Sequence, residues 1–305
     1  MKPTEWLAPV ACLVALALLS SPTSHAEVSV DSPGPSTRAS LVQLLPTEDG
    51  SGPHPWSRQR LHVPDAWILN PGGDDNGDGP PATAVTPGTG APQVCWARFD
   101  GNDHEIVISR WDGSAWTSPR PITDDDEEDL DPDLVVDESG TRHVTWWKPG
   151  DTRVRYASVS DTEGSPRVEI VTEPPAQGTR PSIALFAGSA WVAWQVDVAD
   201  HVDVRVSRRR AADDWSPATT VGSATWAGPA GDGALDVQVH SLGGHLWIDW
   251  VDDPGVLAFS EYDPGTGTWS AEEHQAYDWN ESEGIDEPTA REMARVTIRR
   301  RILGP

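Results

Sequence analysis

The chain has 305 residues, with 22 basic and 48 acidic side chains and a formal net charge of −26. A surface this negative argues against nucleic acid and anionic membranes as partners, because both repel it. Sixteen tryptophans stand beside three phenylalanines and three tyrosines, and two cysteines exclude a disulfide-rich scaffold or a cysteine-based metal centre.

Residues 1–26 read as a secretory signal peptide: Lys2 gives a positive start, 6–19 form an apolar run, and Ser24-His25-Ala26 fits a small-x-small cleavage site. The run is too short to span a bilayer as a helix, and no later stretch offers membrane insertion. The expected product is secreted, extracellular or periplasmic, and keeps Cys95 as its one thiol. Residues 27–38, rich in Ser and Pro, are expected to be a disordered leader. Residues 39–305 are expected to form one β-propeller domain.

Leu41 to Leu45, Asp49-Gly50-Ser51-Gly52 and Trp56-Ser57 mirror Ile106 to Ser109, Asp112-Gly113-Ser114 and Trp116-Thr117. They read as the outer two strands of a blade that lacks its inner two. Asp74-Asp75-Asn76-Gly77-Asp78-Gly79 follows, the first half of a calcium loop in which alternate oxygens converge on a hard cation. Its twelfth position is Val85 rather than Glu, so a complete EF-hand is excluded, and Asp74, Asn76 and Asp78 become candidate calcium ligands closed by groups from elsewhere.

From Pro81 onward one unit recurs. Val94-Cys95-Trp96, Val144-Thr145-Trp146, Val192-Ala193-Trp194 and Ile248-Asp249-Trp250 lie about 50 residues apart. Each sits among four short strand-like segments, in blocks 81–123, 132–172, 181–221 and 235–277. Four strands per unit of roughly 40–50 residues is the pattern of a propeller blade. The repeated tryptophans are expected to fill the space between neighbouring sheets. Trp147, Trp226 and Trp279 lie outside that frame and are candidate stacking platforms for a ligand. At the C-terminus, residues 294–299 alternate in a β-like manner, and a basic helix over 288–303 is the alternative. The expected fold is therefore all-β: five blades, four complete and one composite blade closed by both termini, with six blades as the alternative.

Carboxylates crowd the loops that would face one mouth of the channel: 124–129 between blades, then Asp100, Asp103, Asp151, Asp197 and Asp252 after the second strands. The residues alone leave two readings, a solvated acidic rim and a cation-binding mouth.

Between third and fourth segments a turn motif repeats, as 109–119, 212–217 and 263–270, with Asp112-Gly113-Ser114-Ala115-Trp116 its fullest copy. It resembles the degenerate Asp-box of sialidase-like propellers, Ser-x-Asp-x-Gly-x-Thr-Trp, over residues 81–277. The resemblance implies a propeller fold and boxes lying away from the catalytic face. A sialidase of that family would need an arginine triad, a Tyr nucleophile with a Glu partner, and an Asp acid/base. Tyr156 and Tyr262 fall on repeated strand positions, and no arginine matches the triad. Catalytic residues are thus not assigned.

The function expected from these features is a non-catalytic, monomeric binding module for extracellular or surface glycans, supported by calcium. The alternatives are a glycoside hydrolase using channel carboxylates, sialidase-like or of the five-bladed type, and a scaffold for a surface protein partner. A hydrolase would need two carboxylates about 5 Å apart for retention or roughly 6.5–9.5 Å for inversion.

Overall fold

The computed structural model describes residues 25–30, 39–46, 56–62, 69, 78–161, 166–172, 178–224, 235–253, 255–277 and 287–304. Most of the expected signal peptide, positions 31–38 of the leader, and Asp74, Asn76, Trp226 and Trp279 lie outside the described residues. Three strands come first: β1 (His25–Val30), β2 (Ala39–Pro46) and β3 (Trp56–His62). They form an antiparallel sheet in the order β1-β2-β3.

Four antiparallel sheets follow, one per repeat. The first is β4 (Ala82–Val85), β5 (Pro92–Phe99), β6 (His104–Arg110) and β7 (Arg120–Pro121). The second is β8 (Leu130–Val136), β9 (Arg142–Lys148), β10 (Arg153–Val159) and β11 (Val168–Ile170). In the third, β12 (Thr179–Phe186), β13 (Ser189–Val198) and β14 (His201–Ala211) precede two pieces, β15 (Asp214–Trp215) and β16 (Thr219–Ala224). The fourth repeats that plan with β17 (Gln238–Leu242), β18 (His245–Asp253), β19 (Val256–Asp263), β20 (Thr268–Trp269) and β21 (Glu273–Ala276). Every pairing joins near neighbours in sequence. The first strands of successive sheets, β4, β8, β12 and β17, pack against one another in turn.

The repeated tryptophan explains this stacking. Strand residues two apart share a face, so Val-x-Trp turns its first and third residues to the preceding layer. Trp146 and Val144 pack with Cys95, Ala97 and Ile106 of the first sheet. Trp194 and Val192 meet Val154 and Tyr156 of the second, and Trp250 and Ile248 meet Val204 and Val221 of the third. Trp96, Trp146, Trp194 and Trp250 are all at most 1% exposed. The space for them is made by small neighbours: a Cβ at Gly178 would stand 2.6 Å from Trp194 Cδ1, and one at Gly222 would stand 2.2 Å from Trp250 Cζ2.

The middle residue of Val-x-Trp faces the following layer. Cys95 belongs to the cluster shared with the second sheet, and Ala193 to the one shared with the fourth. Asp249 is the exception in chemistry, because its following layer is not a sheet.

That layer is α1 (Glu287–Leu303), which corrects the expected C-terminal strand. Residues 294–299 alternate, but the stronger pattern is the four-residue spacing of Ala290, Ala294, Ile298 and Ile302. It puts one apolar stripe on a helix. Ala294 and Ile298 pack on Trp247, Val251, Leu257 and Phe259, and burying Ile298 contributes roughly 1.5–3 kcal/mol. Glu287 pairs with Arg291 one turn on, and Arg300 and Arg301 stand in the last turn, where cations suit the helix dipole. A composite blade closed by strands from both termini is therefore not formed. Pro87 of the first repeat and Arg299 of α1 nevertheless line one cleft of ≈ 970 Å³ with residues of β8, β12 and β17. No helix among the described residues is long and apolar enough to cross a membrane.

Candidate functional site

Antiparallel strands send the β5–β6 turn and the β7–β8 connection to the same end of the first sheet. Asp100 and Asp103 sit in that turn, Glu105 is the second residue of β6, and Asp125 and Asp129 lie in the connection. Carboxylate oxygens of Asp100, Asp103 and Glu105 fall within 4.8 Å of one another. Asp100 is exposed, Asp103 and Glu105 are 4% and 2% exposed, and Asp129 is fully buried.

Each acid is held on one side only. Asp100 Oδ1 accepts the Asn102 amide at 2.9 Å, and Asn102 Nδ2 donates to Asp103 Oδ1 at 3.2 Å. The Asp125 amide donates to Glu105 Oε1 at 2.6 Å. Trp146 Nε1 donates to Asp129 Oδ1 at 2.7 Å, so this core tryptophan also aims a carboxylate. The second oxygens, Asp103 Oδ2, Glu105 Oε2 and Asp129 Oδ2, are buried without a hydrogen-bond partner among the described residues. Lys148 stands beside Asp129: its Nζ donates to both oxygens of Asp125, at 2.7 and 2.8 Å, and lies 3.7 Å from Asp129 Oδ1.

Burial governs the protonation of these groups, because desolvation penalises the charged form. It pushes Glu105 up to about 7, against the opposing hydrogen bonds of Thr123 and the Asp125 amide. It pushes Asp129 up to about 6, opposed by Lys148 and Trp146. Asp103 is raised by burial and by the charges of Asp100, Glu128 and Asp125, which outweigh Asn102. A buried carboxylate with an orphaned oxygen is costly, about 1–3 kcal/mol or more. A hard divalent cation removes that cost, since oxygen donors are what calcium takes.

A second cluster lies at the same end of the fourth sheet. His274 Nε2 stands 3.2 Å from Asp252 Oδ2 and 3.0 Å from Glu272 Oε1. There a single imidazole nitrogen lies between the two acids.

The other residues expected at the mouth are dispersed. Asp151 is engaged by Arg155 and by the Arg153 amide. Asp197 is exposed near the end of β13. Trp147 is half-buried in β9 with its indole nitrogen buried, next to Lys148. Asp78 Oδ1 accepts the Phe99 amide at 3.2 Å, which ties the end of the candidate calcium loop to β5. Glu105 escaped sequence reasoning because one acid in a strand carries no local signal. Only its distance in space from 124–129 marks it.

No family model matches the sequence, and neither does any curated protein sequence. Among solved structures the chain is similar to a GH43 β-1,3-galactosidase, with a TM-score of 0.47, 12% identity, and 87% of this chain and 55% of that one covered. It is similar also to an exo-1,5-α-L-arabinanase from a bovine ruminal metagenomic library, with a TM-score of 0.41, 11% identity, and 84% and 93% covered. A GH43 endo-arabinanase from Bacillus licheniformis gives a TM-score of 0.40, 13% identity, and 88% and 94% covered. The chain thus spans little more than half the length of the galactosidase. Scores and identities this low carry no conclusion about activity.

Proposed function

We propose that the protein is a binding module for extracellular glycans, built on a propeller frame and supported by a calcium ion in the acidic mouth. The observation that carries this reading is the pair of orphaned, buried oxygens on Asp103 and Glu105 clustered with Asp100. Calcium takes six to eight oxygen ligands. Asp100, Asp103 and Glu105 supply fewer, and the exposed side of Asp100 leaves positions for sugar hydroxyls. The frame has five positions in this reading. Four are filled by sheets, and α1 covers the face of the fourth sheet where the fifth position begins.

The test is binding of the exported chain to a glycan array in calcium and in EDTA, with Asp103→Asn and Glu105→Gln alongside. Calcium-dependent binding lost in both variants supports the reading. A blank array overturns it, as does binding indifferent to both EDTA and the substitutions.

One observation favours a hydrolase as the second reading: Glu105 is held near 7, where a general acid works. Release of reducing ends from a polysaccharide panel, abolished in Glu105→Gln with binding retained, would establish it.

A further inference from the structure

At the opposite end of the strands, a cleft of ≈ 870 Å³ opens between the first and second sheets. It is formed by the β4–β5, β6–β7 and β8–β9 turns and by the residues just after β10. Its chemistry inverts that of the acidic mouth. Arg142, 5% exposed, donates from Nη1 to Asp161 Oδ1 at 2.6 Å, and Arg110 Nη2 lies 3.5 Å from Asp161 Oδ2. Arg120 stands behind them, donating to the Ser160 carbonyl at 3.1 Å. The charges of all three, after the Arg142 hydrogen bond, hold the Asp161 carboxyl below its ordinary value.

Arg142 is fixed before any ligand arrives. Its Nε donates to Gln93 Oε1 at 2.5 Å, and Gln93 Nε2 donates to Thr86 Oγ1 at 2.7 Å. The other carboxylate of the cleft, Asp112, is committed to its own turn, where Oδ1 accepts the Ser114 and Ala115 amides and the Ser114 hydroxyl. Trp111 lines the cleft and is braced edge-on by Trp116, with centroids 6.0 Å apart. Two guanidiniums of the cleft, those of Arg142 and Arg110, converge on one exposed carboxylate, and the charge of Arg120 adds to theirs, a cationic group in a chain of net charge −26. The guanidinium fork matches a carboxylate in two parallel bonds.

We infer that this cleft binds an acidic saccharide. The carboxylate of a uronic acid takes the place of Asp161 on Arg142 and Arg110, and its ring lies against Trp111. The hydroxyls of Thr86, Ser139 and Thr141 face the ring's polar edge. The inference shares with the proposed function only the glycan class of ligand, not the site or the cation.

The test is affinity electrophoresis of the full chain through polygalacturonate in EDTA, which silences the acidic mouth. Retardation is expected, falling with added salt. Arg110→Ala and Trp111→Ala, both half-buried, should each weaken it about tenfold, the first by loss of a charge-assisted contact and the second by loss of a stacking face. Asp161→Ala removes the internal competitor and should strengthen retardation. No retardation overturns the inference, as does retardation unchanged in Arg110→Ala and Trp111→Ala, or weakened by Asp161→Ala. Equal retardation by dextran sulfate overturns the carboxylate assignment. A calcium-dependent array signal without uronate retardation would leave the proposed function standing alone.

Discussion

Two of the places where the described residues bury carboxylates treat them in opposite ways. Where α1 meets the fourth sheet, Asp249 is fully buried, and Arg295 Nε and His240 Nε2 donate to its two oxygens at 2.8 and 2.7 Å. Arg295 continues to Asp236 at 2.9 Å and to Glu292 at 2.5 Å. Burial alone would raise Asp249, but His240 and Arg295 outweigh it and hold the carboxyl below its ordinary value. In the acidic mouth the same burial wins, and the acids titrate high. A charge brought inside for structure is given its counter-charge by the same chain. One left short of a partner is a vacancy for something from outside.

The largest effect tests the first half of that contrast. Arg295→Ala should cost about 3–5 kcal/mol, the price of taking one of its two partners from a buried carboxylate. Asp249→Ala with Arg295→Met should recover most of it, as read by urea denaturation. A double variant no better than the single would show that the helix is held by its apolar stripe alone.

The next effect is calcium's. At a hundredfold excess over its dissociation constant, calcium should stabilise the fold by about 2.7 kcal/mol, seen as a rise in Tm of a few degrees. Asp103→Asn should abolish the rise, whereas Asp252→Asn should preserve it, since His274 already stands against that acid. The reverse pattern would move the cation to the fourth sheet.

Acid titration gives a comparable signal with a defined sign. Glu105 ionises near 4.5 when unfolded and near 7 in the fold. A raised acid destabilises the fold as pH climbs, because the unfolded chain releases its proton first. In EDTA, stability should therefore fall between pH 4.5 and 7 by up to about 3 kcal/mol and level off above. Glu105→Gln should flatten this slope. A slope that persists in the variant assigns it to Asp129 or Asp103.

The smallest effect separates the two tasks of one core residue. Trp146→Phe keeps most of the apolar contact but removes the donor to Asp129, with an expected cost of about 1–3 kcal/mol. Part of that loss should disappear at pH 5, where Asp129 is protonated. An unchanged cost across pH would make Trp146 a space-filler only.

The sheet array was legible because its signal is local and repeated. Val-x-Trp recurs once in every unit, and the opening prolines Pro81, Pro132 and Pro181 and the turn motif each recur in three of the four. The chemistry of the fourth middle position was in plain view as Asp249, where the other copies have Cys95, Thr145 and Ala193. Its partner Arg295 lies 46 positions on in a helix, beyond the reach of periodicity. The helix itself was hidden by Val296 and Ile298, which alternate over a span too short to decide. At the mouth, Asp100, Asp103 and 124–129 were visible as a charged rim. Which of them are buried depends on how two loops and β6 meet, and no local pattern encodes that. The left-handed residues Asp131, Arg180 and Asp236, with φ of 50°, 50° and 48°, were equally silent, although they recur where the first strands of the second, third and fourth sheets begin.

The layering has a consequence for how the molecule comes apart. Among the described residues each sheet packs chiefly against the layer before and the layer after, much as units of a linear array do, so stability accrues interface by interface. The second and third sheets have a partner on both faces. The fourth would be an end, with Trp247, Leu257 and Phe259 bare on one side, were it not for α1. The helix therefore acts as the terminal cap of a short stack. Loosening it would fray the array inward from the fourth sheet rather than melt it everywhere at once.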